Sequence, residues 1–188
     1  MGRTVQLEPL AAEHEAELSE IAQDEEIWEY LTSYGGSPEA MRLYLKTALE
    51  DYARGNALPF VIRANHDRSI IGLTRLKNIA REHRSAGVGS WFVRSARGTG
   101  ANSESKLLLL THAFETLNCI RIEFQTDVQN LRSRAALTKM GAQEEGTLRS
   151  CYIRRDGSLR DTVVFSVLDK EWPAVKKKLL QRLSVSIR

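Results

Sequence analysis

The chain has 188 residues, 42% of them hydrophobic and 27% charged, with a net charge of +3. That length and balance suit one domain able to bury a core without metal or disulfide support, and they exclude a low-complexity or fibrous chain. The two cysteines, Cys119 and Cys151, form no Cys-x-x-Cys pair and share no metal-ligand spacing with His14, His66, His83 or His112. No stretch reaches the ~20 apolar residues of a membrane span. The N-terminus lacks the apolar run of a signal peptide, so the expectation is a cytoplasmic protein with reduced thiols.

Val5 and Leu7 alternate with polar neighbours up to Pro9, which predicts a short strand. From Ala12 to Tyr30 the chain reads as one helix, with Leu18, Ile21, Ala22 and Trp28 on one side. Tyr34-Gly35-Gly36 ends it. Ser37-Pro38-Glu39 then supplies an N-cap, a proline at the first helical position and an acid in the first turn. Met41, Leu45, Ala48, Leu49 and Tyr52 carry this second helix to about Gly55. Pro59 to Arg63 and Ile70 to Leu76 predict a hairpin turning at Asn65 to Arg68, and the polar run Asn78 to Ser85 predicts a surface loop.

Gly87 to Glu115 is the most informative stretch. Apolar residues concentrate up to Val93 as in a strand entering a core, and the turn Arg97-Gly98-Thr99-Gly100-Ala101-Asn102 follows. Leu107, Leu110, Phe114 and Leu117 then recur at helical spacing. Strand, glycine turn and helix together aim backbone N–H groups at an anion, with the helix N-terminus adding partial positive charge. No Gly-Lys-Ser/Thr ends the turn and no third glycine stands near Ser103, so neither a nucleoside-triphosphate loop nor a dinucleotide fingerprint is present. Two glycines one residue apart also occur in ordinary turns; the working expectation is that this turn holds the pyrophosphate of a nucleotide-bearing cofactor. Arg94, Arg97, Arg132 and Arg134 flank the candidate site, whereas the basic cluster at Lys176, Lys177, Lys178, Arg182 and Arg188 fits a solvated helix face about as well as a nucleic-acid contact. No nucleic-acid partner and no metal are expected.

Ile120, Ile122 and Phe124 alternate with polar residues in a further strand, opened by Cys119 as a small buried hydrophobe. Asn130 to Met140 reads as a helix stopped by Gly141, with Asn130 as N-cap and Ser133 one turn in. Leu148 to Arg154 and Asp161 to Val167 flank an Asp156-Gly157 turn, and Asp169 caps a last helix bearing Trp172, Val175, Leu179 and Leu183. The strand–helix–strand unit from Val88 to Thr126 places its strands parallel, because a helix joins them. Residues 1–188 form a single domain, with a core over about 5–168 and a C-terminal helix over 169–183.

The Arg-Gly-Thr-Gly-Ala-Asn turn, the helix with His112-Ala113-Phe114-Glu115, and Asn130-Leu131-Arg132-Ser133-Arg134 before Lys139-Met140-Gly141-Ala142 resemble the GCN5-related N-acetyltransferases. Glu145-Gly146-Thr147-Leu148-Arg149 and Asp156-Gly157-Ser158-Leu159-Arg160-Asp161 are similar to the branch of the ribosomal-protein N-terminal acetyltransferases. The resemblance runs from Leu7 to Leu168. It implies an α+β fold: one twisted, largely antiparallel mixed sheet, helices on both faces, and a central parallel pair splayed to hold acetyl-CoA. It implies that Arg97, Gly98, Thr99, Gly100, Ala101 and Asn102 hold the pyrophosphate, and that the main chain of Phe92 and Val93 pairs with the pantetheine arm. Asn130 matches the position contacting that arm, and Ser133 the position whose hydroxyl faces the thioester sulfur. Ser95 stands where the family turn begins with Gln or Arg, and Arg94 and Arg97 bracket it.

The reaction implied is direct attack of a primary amine, of a protein N-terminus or a small molecule, on acetyl-CoA. A backbone N–H around Val93 is the expected oxyanion donor. Related chains carry an acid just before the strand at Trp91, where this one has Ala86-Gly87-Val88, so no general base is visible. Glu82 and His83 read as solvated charges, Glu104 as an acid at a helix N-terminus, and Tyr152 as part of the acceptor wall. The missing acid leaves a second reading, a non-catalytic CoA-binding module. Sheet edges and the last hairpin offer surfaces for a homodimer.

Overall fold

The computed structural model describes residues 2–185; Arg188 of the basic cluster lies outside them. Seven strands build one sheet: β1 (Val5–Pro9), β2 (Leu58–Ala64), β3 (Ile70–Ala80), β4 (Ser85–Phe92), β5 (Arg121–Asp127), β6 (Gln143–Ile153) and β7 (Leu159–Leu168). Their order is β1-β2-β3-β4-β5-β7-β6. Every neighbouring pair is antiparallel except β4 and β5. On one face α1 (Glu15–Ile21) and α2 (Pro38–Ala53) bury Leu18, Met41 and Leu45 against Val61, Leu73 and Trp91. On the other, α3 (Ala101–Thr111), α4 (Leu131–Met140) and α5 (Trp172–Val185) enclose Leu76, Val88, Ile122 and Phe165.

The caps read at Ser37, Asn130 and Gly141 are in place, whereas α5 starts only at Trp172 and the Asp169 carboxylate accepts from the Lys170 N–H before it. Ser37 Oγ accepts from the Ala40 N–H at 3.2 Å, and Asn130 Oδ1 accepts from the Ser133 N–H at 2.9 Å. Gly141 closes α4 at φ +102°, a conformation that favours glycine. Gly72 is required for another reason: Ile71 bulges out of register with β2, and a Cβ on Gly72 would lie 2.3 Å from the Trp91 carbonyl oxygen of β4.

Several expectations change. The stretch from Ala12 to Tyr30 is not one helix, because α1 stops at Ile21 and a short turn, Glu25–Ile27, restarts after Asp24. Trp28 Nε1 donates to the Ala22 carbonyl at 2.7 Å, so the indole caps the broken end and packs against Tyr34, Tyr44 and Trp91. Only the middle of Asn78 to Ser85 is a loop: β3 runs to Ala80, 81–84 make the turn, and β4 begins at Ser85. Tyr52, Leu117 and Ile120 are exposed rather than core. Glu104 lies 4% exposed and clamps the start of β1, accepting from the N–H groups of Arg3, Thr4 and Val5 at 2.6, 2.7 and 3.0 Å.

Candidate active site

The parallel register runs from Ser85 opposite Arg121 to Val88 opposite Phe124 and then stops. Beyond it, Gly89 to Phe92 stay paired with β3, and Gln125 to Asp127 with β7, so the two strands diverge. Their facing edges carry main-chain groups with no partner strand. A cleft of ≈ 440 Å³ fills this gap. Phe92, Arg97, Gly98, Gly100, Asn102, Asn130 and Ser133 line it, while Val93, Thr99 and Ala101 stand behind the lining.

Val93 is a correction. Its N–H donates to the Ile71 carbonyl at 3.0 Å and its carbonyl accepts from the Ala96 N–H at 3.2 Å, so it has no free donor for an oxyanion. Successive residues of a strand turn their N–H groups to opposite neighbours, so those of Ser90 and Phe92 face the gap.

In the turn after β4, Gly98 and Gly100 adopt φ +79° and +86°, and a Cβ on Gly98 would meet no atom within 4 Å. Gly100 is the N-cap of α3 and has no side chain to offer, so beyond Ala101 the N–H groups of the first turn have no side-chain cap. Thr99 braces the turn: its Oγ1 donates to the Ala96 carbonyl at 2.8 Å and accepts from the Ala101 N–H at 3.3 Å. Ala101, 3% exposed, packs with Val5, Ile62 and Ala96. An uncapped helix start beside two left-handed glycines fits a diphosphate, which main-chain donors and the helix dipole both favour. Glu26 closes this corner, its carboxylate paired with Arg94 and, at 2.9 Å, with Arg97 Nη1. The Arg97 hydrogen bond, outweighing slight desolvation, holds the Glu26 carboxyl below its usual range.

On α4, the Ser133 N–H is taken by Asn130, while its hydroxyl makes no hydrogen bond among the described residues. Lys106 is not legible as a site residue in the sequence, because its position on α3 looks like any charged helix residue. It is 9% exposed and its ammonium donates to Ser90 Oγ at 2.5 Å; Ser90 Oγ in turn lies 2.7 Å from Thr74 Oγ1. Burial without a counter-charge pushes Lys106 down to about 8.

Asp127 ends β5 with no exposed surface and accepts from Arg154 Nε and Nη2 at 2.9 and 3.0 Å and from the Gln129 N–H at 2.9 Å. Burial alone would raise its carboxyl; these bonds and the Arg160 charge outweigh it and hold it low. Arg160 Nη1 donates to the Tyr30 carbonyl at 2.9 Å, and Arg155 Nη2 to Glu25 Oε2 at 2.9 Å. The last hairpin is thereby tied to the segment before α2, forming one wall of the cleft. Tyr152 stands on that wall, its hydroxyl donating to Gln125 Oε1 at 3.1 Å. Glu82 and His83 sit on the exposed turn before Ser85, at the paired end of β4 rather than the splayed end. Among the described residues no group of three or more His, Cys, Asp or Glu side chains could hold a metal ion, and no helix is long and apolar enough to cross a membrane.

A seven-stranded sheet opened along its one parallel seam, with an anion-binding turn at the opening, defines an acyl-CoA-type transferase architecture. Residues 4–143 match the model of the acetyltransferase (GNAT) domain, and the chain belongs to that family of acetyl-CoA-dependent N-acetyltransferases. It is 32% identical to the "Putative ribosomal N-acetyltransferase YdaF" of Bacillus subtilis, over 90% of this chain and 92% of that one. Among solved structures, a "putative acetyltransferase" from T. thermophilus is 36% identical with a TM-score of 0.87, covering 97% of this chain and 95% of that one. Mycobacterium smegmatis RimJ, solved in complex with CoA-disulfide, is 26% identical with a TM-score of 0.81, covering 95% and 88%.

Proposed function

We propose that the protein transfers the acetyl group of acetyl-CoA to a primary amine, of a protein N-terminus or a small molecule, by direct attack within a ternary complex. The observation that carries this reading is the divergence of β4 and β5 beyond Val88 and Phe124, with the uncapped start of α3 at its mouth. The N–H groups of Gly98, Gly100 and the first turn of α3 receive the diphosphate. The gap-facing main chain of Phe92 and Ser90 pairs with the pantetheine arm, and the Asn130 side chain reaches the same arm. The sheet thus supplies, at its seam, the partner strand that the cofactor imitates.

The amine nitrogen attacks the acetyl carbon, the C–N bond forms, the C–S bond breaks, and the proton shed by the amine ends on water or on the released thiolate. Only the neutral amine attacks. A protein N-terminal amine titrates near ~7.7–8.0 and a lysine near ~10.4, so the former reaches that state with little assistance. Among the described residues one carboxylate lines the cleft, that of Glu26, and it is held by Arg94 and Arg97. Proton removal through water therefore fits the site better than a carboxylate base. The Ser133 hydroxyl hydrogen-bonds the departing sulfur, which suits its acidity better than full proton donation.

The test follows CoA thiol release from acetyl-CoA over a panel of amines. Acceptor-dependent release, with mass spectrometry locating acetyl on the amine, is the expected result. Tight acetyl-CoA binding with no release for any amine would leave a binding module only.

A further inference from the structure

The run Gly87-Val88-Gly89-Ser90-Trp91 holds two glycines that the cofactor reading does not use. On the α2 face of the sheet, where side chains at these positions would project, two cations of β3 lie instead. A Cβ on Gly89 would stand 3.5 Å from Arg75 Nε and 3.8 Å from Lys77 Cδ, and one on Gly87 would stand 3.5 Å from Lys77 Cγ. The bare surface of β4 lets both long side chains lie across it, and both line the cleft.

Neither cation is engaged in an ion pair. Among the described residues Arg75 makes no hydrogen bond or ion pair, and its guanidinium lies 5.8 Å from the centroid of the Tyr44 ring. Lys77 likewise makes none; burial first, then the charges of Arg75 and Arg160, hold its ammonium below the ordinary range, with Glu123 as the one opposing charge. Cofactor phosphates do not account for them. Thr74, next to Arg75 along the strand, points to the opposite face, where it meets Ser90 and Lys106 beneath α3. The phosphate-binding turn belongs to that face, whereas Tyr44 and the α2 core belong to this one. Half-buried cations without counter-charges are costly, and a site shaped around them favours an anion.

We infer that the acceptor amine carries a carboxylate close to its amino group and that Arg75 and Lys77 hold that carboxylate beside the gap; the inference rests on the transfer reading above. The same charges act on the reaction. Positive neighbours disfavour the ammonium form of the bound amine, so it sheds its proton to water without a carboxylate base. The substrate's carboxylate draws the molecule into a field that would otherwise repel it. An acidic peptide terminus and a free acidic amino acid share this chemistry.

The experiment compares peptides whose second and third residues are glutamate with the same peptides carrying glutamine, and free glutamate with glutamine α-amide, which carries no carboxylate, by CoA release. The acidic member of a pair should exceed the neutral one in kcat/KM by about tenfold or more, as expected for a hydrogen-bonded charge. Preference among peptides places the carboxylate on a chain terminus; preference among amino acids places it on a small molecule. Arg75→Gln and Lys77→Gln should each shrink the acidic-to-neutral ratio, Arg75→Lys should retain part of it, and calorimetric acetyl-CoA affinity should be unchanged in all three. Should a variant fail to bind acetyl-CoA, the wild-type pairs decide alone. Equal rates for acidic and neutral acceptors, or a ratio unmoved in variants that bind acetyl-CoA, overturn the anionic acceptor and leave the transfer reading standing. Release with no amine of any kind overturns the transfer reading, and this one with it.

Discussion

On the proposed reading, the two faces of β4 at the splay solve one problem, holding negative charge, by opposite means. Toward α3 the donors are main-chain N–H groups of the Gly98–Gly100 turn and the open helix end. Toward α2 the donors are the side chains of Arg75 and Lys77 laid over Gly87 and Gly89. Main-chain donors are fixed by the fold and tolerate many side chains, so they suit the one ligand every member of the family must bind. Side-chain donors can be exchanged without disturbing the sheet, so they suit the acceptor. Glycine serves both faces, by its conformation in the turn and by its lack of bulk in the strand.

The largest effect should come from undoing the anchor at the end of β5. Asp127→Asn leaves Arg154 and the 5%-exposed Arg160 without their buried counter-charge, a loss of about 3–5 kcal/mol by analogy with broken buried pairs. Chemical denaturation at pH 7 measures it. The folded-state pKa of Asp127 is depressed, so the wild-type contribution is present above the unfolded value of ~3.9 and is lost as pH falls through the folded one. The variant should therefore lose less stability than the wild type on acidification. Equal acid limbs would show that the pair is not what holds the acceptor-side wall.

Lys106 gives the next effect, of opposite sign. Its folded pKa of about 8 lies below the ~10.4 of an exposed lysine, so between those values the unfolded chain binds a proton that the folded chain lacks. Wild-type stability should climb with pH across that window. Lys106→Met should stabilise the ligand-free protein by about 3 kcal/mol below pH 8, with the gain fading toward pH ~10.4. A gain independent of pH would mean that packing rather than charge is responsible. The outcome also sharpens the contrast between faces: a cation beneath the cofactor cleft costs stability, while Arg75 and Lys77, less buried, are left to the acceptor.

The contrast explains what could be read from the sequence. Gly98, Gly100 and the Asn130–Gly141 helix are legible because caps and left-handed turns are local, written in residues that touch each other along the chain. Arg75 and Lys77 are not, since their meaning depends on the β3–β4 register that sets them over Gly89 and Gly87. Val93 misleads for a related reason: the β3–β4 ladder runs on past Phe92, so the Ile71 carbonyl takes its N–H, and no local pattern shows that. The Asp127–Arg154 pair spans 27 positions, and Trp28 caps Ala22 only because the core pulls the indole inward. The seam itself follows from a strand–helix–strand rule, but its opening point, after Val88, does not.

Gly100→Glu attacks the main-chain face directly. It places a carboxylate where the diphosphate is to sit and forces a side chain into φ +86° at the N-cap of α3. Acetyl-CoA affinity should fall by more than about a hundredfold, or about 2.7 kcal/mol, with the far-ultraviolet spectrum retained. Affinity that survived would move the phosphates elsewhere and dissolve the division between the two faces.

Ser133→Ala is the smallest perturbation and the cleanest, because the N–H that Asn130 caps remains and only the hydroxyl, unpartnered among the described residues, is removed. If the hydroxyl bonds the departing sulfur, its contribution appears only as negative charge gathers there. The variant should then lose about tenfold in kcat while its acetyl-CoA affinity stays within about twofold. Acyl donors with a more acidic thiol need that bond less, so the deficit should narrow along a series of such thioesters. A constant deficit would instead make Ser133 a positioning residue for the cofactor arm, and a loss confined to binding would join it to the main-chain face after all.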